Sequence, residues 1–300
     1  MGRPLAIGGA VGRQFSEMKV VSWNIQWCRG GDGRVEPARI VAQARALADF
    51  DVLCLQEVAS NFPALAGSSG ENQFEWLAAL LPGYTALPGI AVDVAGPNGR
   101  RSEFGNLILS RYPVVQVQRI RLPWPSDPEV RSMPRLLLDA TVEAPFGRVR
   151  IMTTHLEYYS QAQRAAQVEA LRDHHAEACG HARRDRPHDA SHGPFHSHRQ
   201  TAAAILTGDF NFKPDDPLRT RIEAPFDDPA VPPLDDVWST LRPGVPHAPT
   251  SGVHDHEQWP EAFACDFVFA TRELRDRLRS ITVDAATAAS DHQPIVVELD

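Results

Sequence analysis

The sequence predicts an α/β fold built as a four-layer α/β/β/α sandwich, in which two stacked mixed β-sheets are flanked by helices. Segments with strand character outnumber segments with helical periodicity over the 300 residues. Many of the predicted strands are apolar on both faces, which is typical of strands covered on both sides. Such strands need a second sheet on one side and helices on the other, and we expect a single domain over residues 18–300.

The first elements form a predicted β-α-β unit. Lys19–Ile25 and Asp51–Leu55 have the character of buried strands, and Glu36–Leu47 carries apolar residues at helical spacing. If the two strands pair in parallel, Asn24 and Glu57 lie at the carboxyl ends of neighbouring strands. Open α/β sheets place their functional sites at that edge.

The rest of the chain continues as short strands and two further helices. The predicted helices are Glu71–Leu81 and Gln161–Ala178. The predicted strands are Tyr84–Val94, Glu103–Ser110, Val114–Leu122, Arg135–Glu143, Arg148–Thr154, Ala203–Leu206, Ala264–Phe269, Ser280–Val283 and Pro294–Leu299. The proline-rich stretches 123–134 and 214–233 are expected to be irregular.

Two stretches are predicted to lie outside the packed core. Residues 1–17 are expected to be a disordered leader, with Met1 and Met18 both open as the native start. Residues 180–200 lack apolar periodicity and predict a His-rich loop insertion. The His residues in or near it are His174, His175, His181, His188, His192, His196 and His198. Clustered His can bind transition metals, but no Cys and no ordered scaffold fixes these side chains, which favours a solvated loop.

Composition narrows the class of protein. The net charge is −8 and the pI about 5.8, which lowers the odds of an enzyme that tracks along duplex nucleic acid and suits one that recruits a divalent cation. No apolar run approaches the ~20 residues of a membrane helix, and the N-terminus lacks the apolar core of a signal peptide. The 4 cysteines are scattered and predict neither disulfides nor a zinc site. We expect a cytoplasmic monomer.

A strand end near residue 209 is the strongest single pointer to a site. An apolar run ends at Leu206, and Asp209 and Asn211 follow after a Thr-Gly break. In an extended chain, residues two apart point to the same side, so the Asp209 carboxylate and the Asn211 amide are expected to converge. One group would orient a water and the other would hold a developing oxyanion. Taken alone, the same residues could form an ordinary turn.

Polar residues recur at strand ends along the whole chain. They are Asn24, Glu57, Asn106, His155, Asp209, Asn211, Asp291 and His292, with Asp266 inside a strand. They lie in the motifs W-N-I-Q, L-Q-E, G-N-L-I-L-S, T-H-L-E, G-D-F-N, C-D-F-V-F and S-D-H-Q-P. In this order the motifs resemble the endonuclease/exonuclease/phosphatase superfamily, from Met18 to the C-terminus. The resemblance implies a DNase I-like sandwich and a metal-dependent hydrolase of phosphate esters.

The resemblance also implies a magnesium site. Glu57 is a hard oxygen ligand of the kind that Mg²⁺ prefers, since Mg²⁺ keeps most of its waters and needs only one or two carboxylates. Asn24 would lie beside the ion, and Asp291 would be a ligand through water. Mn²⁺ is the expected substitute for Mg²⁺.

The resemblance implies a separate role in hydrolysis for each catalytic residue. Asp209 would orient or deprotonate the attacking water, and Asn211 would donate to phosphoryl oxygens as charge builds. His292 would bind or protonate a phosphate oxygen. Asp266 would hold the His292 ring, because a carboxylate in an apolar strand is costly unless it is paired. His155 would protonate the leaving group.

Two further residues are implied as phosphate contacts, and the substrate stays open. Asn106 and Arg135 would touch the substrate phosphate, although Arg135 also fits a solvated charge at a strand start. Glu157 could orient His155.

We expect a phosphodiesterase or nuclease, with nucleic acid among the candidate partners. The alternatives are a phosphatase or phosphodiesterase acting on a small molecule or lipid headgroup, and a non-catalytic binding module, because loops select the substrate on this fold.

Overall fold

Two stacked six-stranded sheets form the centre of the molecule in the computed structural model, which describes residues 17–184, 193–195, 198–256 and 259–300. The first sheet contains β1 (Met18–Asn24), β2 (Val52–Ser60), β3 (Thr85–Ala95), β4 (Arg101–Ser110), β11 (Leu278–Val283) and β12 (Ile295–Leu299), in the order β11-β12-β1-β2-β4-β3. The second contains β5 (Val114–Arg121), β6 (Leu136–Ala144), β7 (Gly147–His155), β8 (Ala204–Asp209), β9 (Leu234–Asp236) and β10 (Asp266–Thr271), in the order β5-β6-β7-β8-β10-β9.

Helices cover the outer face of each sheet. They are α1 (Pro37–Leu47) and α2 (Gln73–Leu80) on the first sheet, and α3 (Gln161–Arg183) and α4 (Pro217–Glu223) on the second. The short α5 (Val237–Leu241) instead packs Val237 and Trp238 into the core between the sheets. Apolar residues from both sheets, such as Val20 and Ile151, pack together between them. Ile40 and Leu77 pack against the outside of the first sheet, and Val168 against the outside of the second. The predicted four-layer sandwich is therefore confirmed.

The chain order brings four strand ends to one edge of the sandwich. β1 and β2 pair in parallel through α1, as predicted, and β7 and β8 pair in parallel through α3. A parallel pair ends at the same edge, so Asn24 lies opposite Gln56 and His155 lies opposite Asp209. β10 runs antiparallel to β8 and starts where β8 ends, with Asp266 opposite Asp209.

One strand is longer than predicted, and three short elements were not predicted. β2 continues to Ser60 instead of ending at Leu55, because a bulge lets the strand resume beyond it. α4 lies in the stretch 214–233 that its prolines suggested to be irregular. Pro217 sits in the first turn of α4, where a missing N–H costs nothing, and the Asp216 side chain accepts from the N–H of Leu218 as an N-cap. The short β9 and α5 were not predicted.

The first residues of the predicted His-rich insertion are helical. α3 continues to Arg183, so residues 180–183 are helical rather than part of a loop. His174 and His175 belong to α3 and are buried. His188, His192 and His196 lie outside the described residues, as do residues 1–16 of the expected leader. Among the described residues, none of the helices combines the length and apolar character that a membrane crossing requires.

A buried polar network joins α3 to the second sheet. Arg150 and Asp139 form an ion pair at 2.8 Å, with side chains only 2% and 4% exposed. His174 Nε2 lies 2.8 Å from the same carboxylate oxygen, and Arg150 also contacts His175 Nδ1 at 3.3 Å. Burial opposes the ionised carboxylate, but Arg150 and His174 outweigh it and lower the pKa of Asp139. The Arg150 guanidinium therefore depends on Asp139 for its charge balance.

Candidate active site

Asp209 is the common acceptor of the candidate site. Its Oδ2 accepts from Asn24 Nδ2 at 3.0 Å and lies 3.5 Å from His155 Nε2 and 3.8 Å from His292 Nε2. Its Oδ1 accepts from the backbone N–H of Asn211 at 2.9 Å. Side chains from both sheets thus meet at one buried carboxylate. The strand ends bring these residues together because β1 packs over β8 at this edge.

Glu57 reaches the site through a β-bulge. Between the pairs Leu55–Leu107 and Val58–Gly105, two residues of β2 face one residue of β4. Glu57 takes up the bulge with a φ of 59°, in the left-handed region that favours glycine. Its Oε1 accepts from Asn24 Nδ2 at 3.1 Å, so one amide joins the carboxylates of Glu57 and Asp209.

The bulge predicts an unusual order of stability between two variants. We expect Glu57→Gly to be about 1 kcal/mol more stable to urea than Glu57→Ala, because only glycine adopts this φ without strain. Glu75, a charged residue in α2, is the matched control, and there the alanine variant should be the more stable by about 0.5–1 kcal/mol. An alanine variant at residue 57 that equals or exceeds the glycine variant would show that the backbone is unstrained.

His292 is held as a cation. Its Nδ1 lies 2.8 Å from Asp266 Oδ2, and its carbonyl accepts from the indole N–H of Trp23. Burial alone would lower the pKa of His292, but the neighbouring carboxylates, Asp266 first, raise it well above its ordinary value. Asp266 is the first residue of β10 rather than an interior one, so it lies at the site edge.

His155 is held neutral. Burial and the nearby charge of Arg135 lower the pKa of His155 well below its ordinary value. Its Nδ1 lies 3.9 Å from Glu57 Oε1 while Nε2 faces Asp209. The pKa values of the two histidines therefore shift in opposite directions, and protonation of the leaving group by His155 stays a prediction.

Asn211 does not extend β8 as expected. The strand ends at Asp209, and Asn211 has a φ of 53°. Its backbone N–H, rather than its side-chain amide, reaches Asp209, and its Nδ2 donates to the carbonyl of Leu156 at 2.9 Å. The premise of an extended backbone is wrong, because an Asx turn follows the strand instead.

Asp291 is fixed by partners that sequence reasoning did not single out. Gln26 Nε2 donates to Asp291 Oδ2 at 2.7 Å, and the Ser290 hydroxyl contacts Asp291 Oδ1 at 3.2 Å and the carbonyl of Asn24 at 2.8 Å. Gln26 has a φ of 43° in a short 3₁₀ turn after β1. The sequence signal for Gln26 as a site residue is its position in the W-N-I-Q motif.

The two expected phosphate contacts have different surroundings. Asn106 Nδ2 donates to the carbonyl of Leu136 at 3.2 Å and so joins β4 to β6. Arg135 is only 5% exposed, so its reading as a solvated charge is wrong. Its Nε lies 3.2 Å from Glu157, and its buried Nη1 has no hydrogen-bond partner among the described residues. Glu157 thus pairs with Arg135, instead of orienting His155 by a direct hydrogen bond.

The carboxylates of Glu57 and Asp209 lie close enough together to accommodate a divalent cation. Glu57, His155 and Asp209 each offer a ligand atom, all within 4.8 Å of one another. Burial, with the nearby charge of Asp291, raises the pKa of Glu57 to about 7. Burial and Asp266 raise that of Asp209 to about 6. Buried carboxylates held this close need added positive charge, which a divalent ion supplies.

Comparison with known proteins finds one matching family and several solved structures with the same fold. The model of the Endonuclease/Exonuclease/phosphatase family matches residues 21–292. An endonuclease/exonuclease/phosphatase from Beutenbergia cavernae is 27% identical with a TM-score of 0.60, covering 95% of this chain and 71% of the other. Danio rerio TDP2 complexed with single-strand DNA product is 18% identical with a TM-score of 0.61 and coverages of 95% and 99%. A Bacteroides thetaiotaomicron mannosyl-6-phosphatase is 17% identical with a TM-score of 0.60 and coverages of 94% and 99%. Comparison with curated protein sequences gives no match.

Proposed function

This chain belongs to the endonuclease/exonuclease/phosphatase family and is therefore a phosphoester hydrolase, and we propose that it cleaves phosphodiester bonds with the help of a divalent metal ion. The observation that carries the proposal is the buried Asp209 carboxylate, faced by Asn24, His155 and His292. The Asp209 carboxylate, which can accept a proton from water, thus lies beside the cationic His292 ring, which can donate to a phosphate oxygen. A nuclease-type substrate is the first choice within this class.

The metal side of the site would be formed by Glu57, Asn24 and Asp291. A bound Mg²⁺ or Mn²⁺ would supply Lewis-acid chemistry, neutralising phosphate charge and stabilising the leaving oxygen. The Asn24 amide would keep the two carboxylates apart at a constant distance, since it donates to both. Gln26 and Ser290 would hold Asp291 in place.

Asp209 would act as the base that accepts the proton of the attacking water. Its raised pKa, about 6, makes it a stronger base near neutral pH than an ordinary carboxylate. The water would attack phosphorus in line, and its proton would pass to Asp209. The cationic His292 ring would donate to a non-bridging phosphate oxygen as charge develops there. Asp266 would keep that ring oriented and charged.

Asn211 and His155 would donate hydrogen bonds without changing charge. An amide nitrogen carries two N–H groups, and Leu156 takes one of those of Asn211. The other would be free for a phosphoryl oxygen. His155 would act as a neutral imidazole that donates its ring N–H to substrate. Asn106 and Arg135 would form the wall on the phosphate side.

A substrate panel tests the proposal. The panel contains bis-p-nitrophenyl phosphate, p-nitrophenyl phosphate, single-stranded DNA, RNA, plasmid DNA and an inositol phosphate, each with Mg²⁺, Mn²⁺ or EDTA. We expect diester cleavage that EDTA abolishes, and Glu57→Ala should lose it while keeping the fold by circular dichroism. Glu75→Ala, an exposed charge in α2, should behave as the wild type.

The other outcomes of the panel separate the alternatives. Cleavage of p-nitrophenyl phosphate or inositol phosphate alone would replace the diester proposal by a phosphatase. Turnover that survives EDTA, or a fully active Glu57→Ala variant, would contradict the metal role. No turnover on any ester would favour a non-catalytic binding module.

A further inference from the structure

We propose that a row of aromatic side chains beside the candidate active site stacks against the bases of single-stranded nucleic acid, DNA or RNA. The row consists of Tyr159, Tyr158, Trp259 and Phe263 and is called the aromatic row below. This inference rests on the proposed function and names its substrate class. It assigns a binding role to residues outside the metal and phosphate site.

The rings form a continuous row of edge contacts. The ring centroids lie 4.7 Å apart for Tyr158 and Tyr159, 5.8 Å for Tyr158 and Trp259, and 5.3 Å for Trp259 and Phe263. Tyr158 is 39% exposed and Tyr159 43% exposed. Large aromatic rings are costly to leave in water, so adjacent exposed rings need a reason other than packing.

Both ends of the row are tied to the catalytic elements. Tyr158 and Tyr159 follow His155 closely, and the Tyr159 backbone N–H donates to Glu157 at 2.9 Å. At the other end, Ser251 forms a backbone bridge to Phe263 and another to His292. A chain whose phosphate lies between the two histidines would therefore have its adjoining groups next to the row.

Cations accompany the rings. The Arg131 guanidinium lies over Tyr159 with its Cζ 4.5 Å from the ring centroid, and it also donates to the Tyr159 hydroxyl. The Lys213 ammonium lies 5.5 Å from the Phe263 centroid. Within the described part of the chain, the side-chain contacts of Arg131 and Lys213 are with the rings of Tyr159 and Phe263. Their charge is available to a polyanion that crosses the row.

Aromatic faces interleaved with cations match the chemistry of a single strand. Each base offers a flat ring for stacking, and each nucleotide adds one phosphate. A duplex keeps its bases stacked on one another, so it offers them no contact with these rings. The net charge of −8 gives little general attraction for phosphates, so base stacking must supply much of the affinity.

Binding of oligonucleotides with and without bases tests the proposal. The probes are fluorescein-labelled dT10, U10 and an abasic ten-unit strand with the same phosphates, measured by anisotropy in EDTA at constant salt. The full chain should bind dT10 or U10 at least about tenfold more tightly than the abasic strand. The difference between dT10 and U10 separates a DNA from an RNA preference.

Variants assign the effect to the aromatic row. Tyr158→Ala and Tyr159→Ala should each weaken dT10 or U10 binding by about tenfold and leave abasic binding nearly unchanged. Tyr158→Phe and Tyr159→Phe keep the rings and should restore most of the affinity. Trp76→Ala, which removes a 54% exposed ring from α2, should bind as the wild type.

Other results would overturn the proposal. Equal binding of the abasic strand and the oligonucleotides, no binding of either, or unchanged binding by both alanine variants would each rule out base stacking on the row. Hydrolysis of bis-p-nitrophenyl phosphate by the same preparation separates the two claims. An active enzyme without base-dependent binding would contradict only the base-stacking proposal. Base-dependent binding by an inactive chain would contradict only the proposed hydrolysis of diesters.

Discussion

Replacement of Asp209 by asparagine is expected to lower kcat for phosphoester hydrolysis by about 10²–10⁴-fold. The amide keeps the shape of the side chain but cannot take up the proton of the attacking water. It also turns one of the acceptors that face Asn24, His155 and His292 into a donor. Steady-state rates on the best ester of the panel measure the effect.

The same variant should be at least as stable as the wild type. Burial and Asp266 raise the pKa of Asp209 to about 6, so the native state binds a proton that the unfolded chain releases at lower pH. The contribution of Asp209 to the stability of the metal-free wild type should therefore fall as pH rises from ~4 to ~6. Asp209→Asn removes this charge, and melting in EDTA at pH 7 should show no loss.

The exposed Asp215 provides the matched control for Asp209. Asp215→Asn should keep both the rate and the melting temperature of the wild type. If Asp209→Asn retained more than about a tenth of the wild-type kcat, Asp209 would not be the base. A large drop in its melting temperature would instead mean that the carboxylate stabilises the fold.

Replacement of Asp139 by asparagine is expected to cost about 3–5 kcal/mol of unfolding free energy. The substitution leaves the Arg150 guanidinium buried without its counter-charge, and arginine does not release its proton to escape that cost. In a chain of this size the melting temperature should fall by roughly 5–8 °C. Urea unfolding followed by circular dichroism measures the loss directly.

A double variant shows whether the loss comes from the unpaired charge. Asp139→Leu combined with Arg150→Met removes both charges and should recover most of the stability, because apolar residues of similar volume replace a buried pair at little cost. A double variant as unstable as Asp139→Asn would mean that His174 and His175, rather than the ion pair, carry the network. An unchanged midpoint for Asp139→Asn would show that water reaches Arg150.

The sequence by itself determined the layered fold and which polar residues lie at strand ends on one edge of it. Apolar runs such as Asp51–Leu55 indicate buried strands, since their pattern depends only on neighbours along the chain. Polar residues at strand ends, among them Asp209 and His155, then follow from the rule that parallel strands finish at one edge. Short elements such as α4 were not predicted, because the prolines around α4 indicate an irregular segment although Asp216 caps the helix.

Only the tertiary structure decided how these residues are arranged and paired. The left-handed backbone of Glu57, the turn at Asn211 and the pairing of Arg135 with Glu157 depend on contacts between segments far apart in sequence. The charges of His155 and His292 depend on burial and on the carboxylate or guanidinium that the fold places beside each ring. The pKa values of these two similar imidazoles therefore shift in opposite directions. No local sequence pattern predicts this, because desolvation and Coulomb interactions act through space.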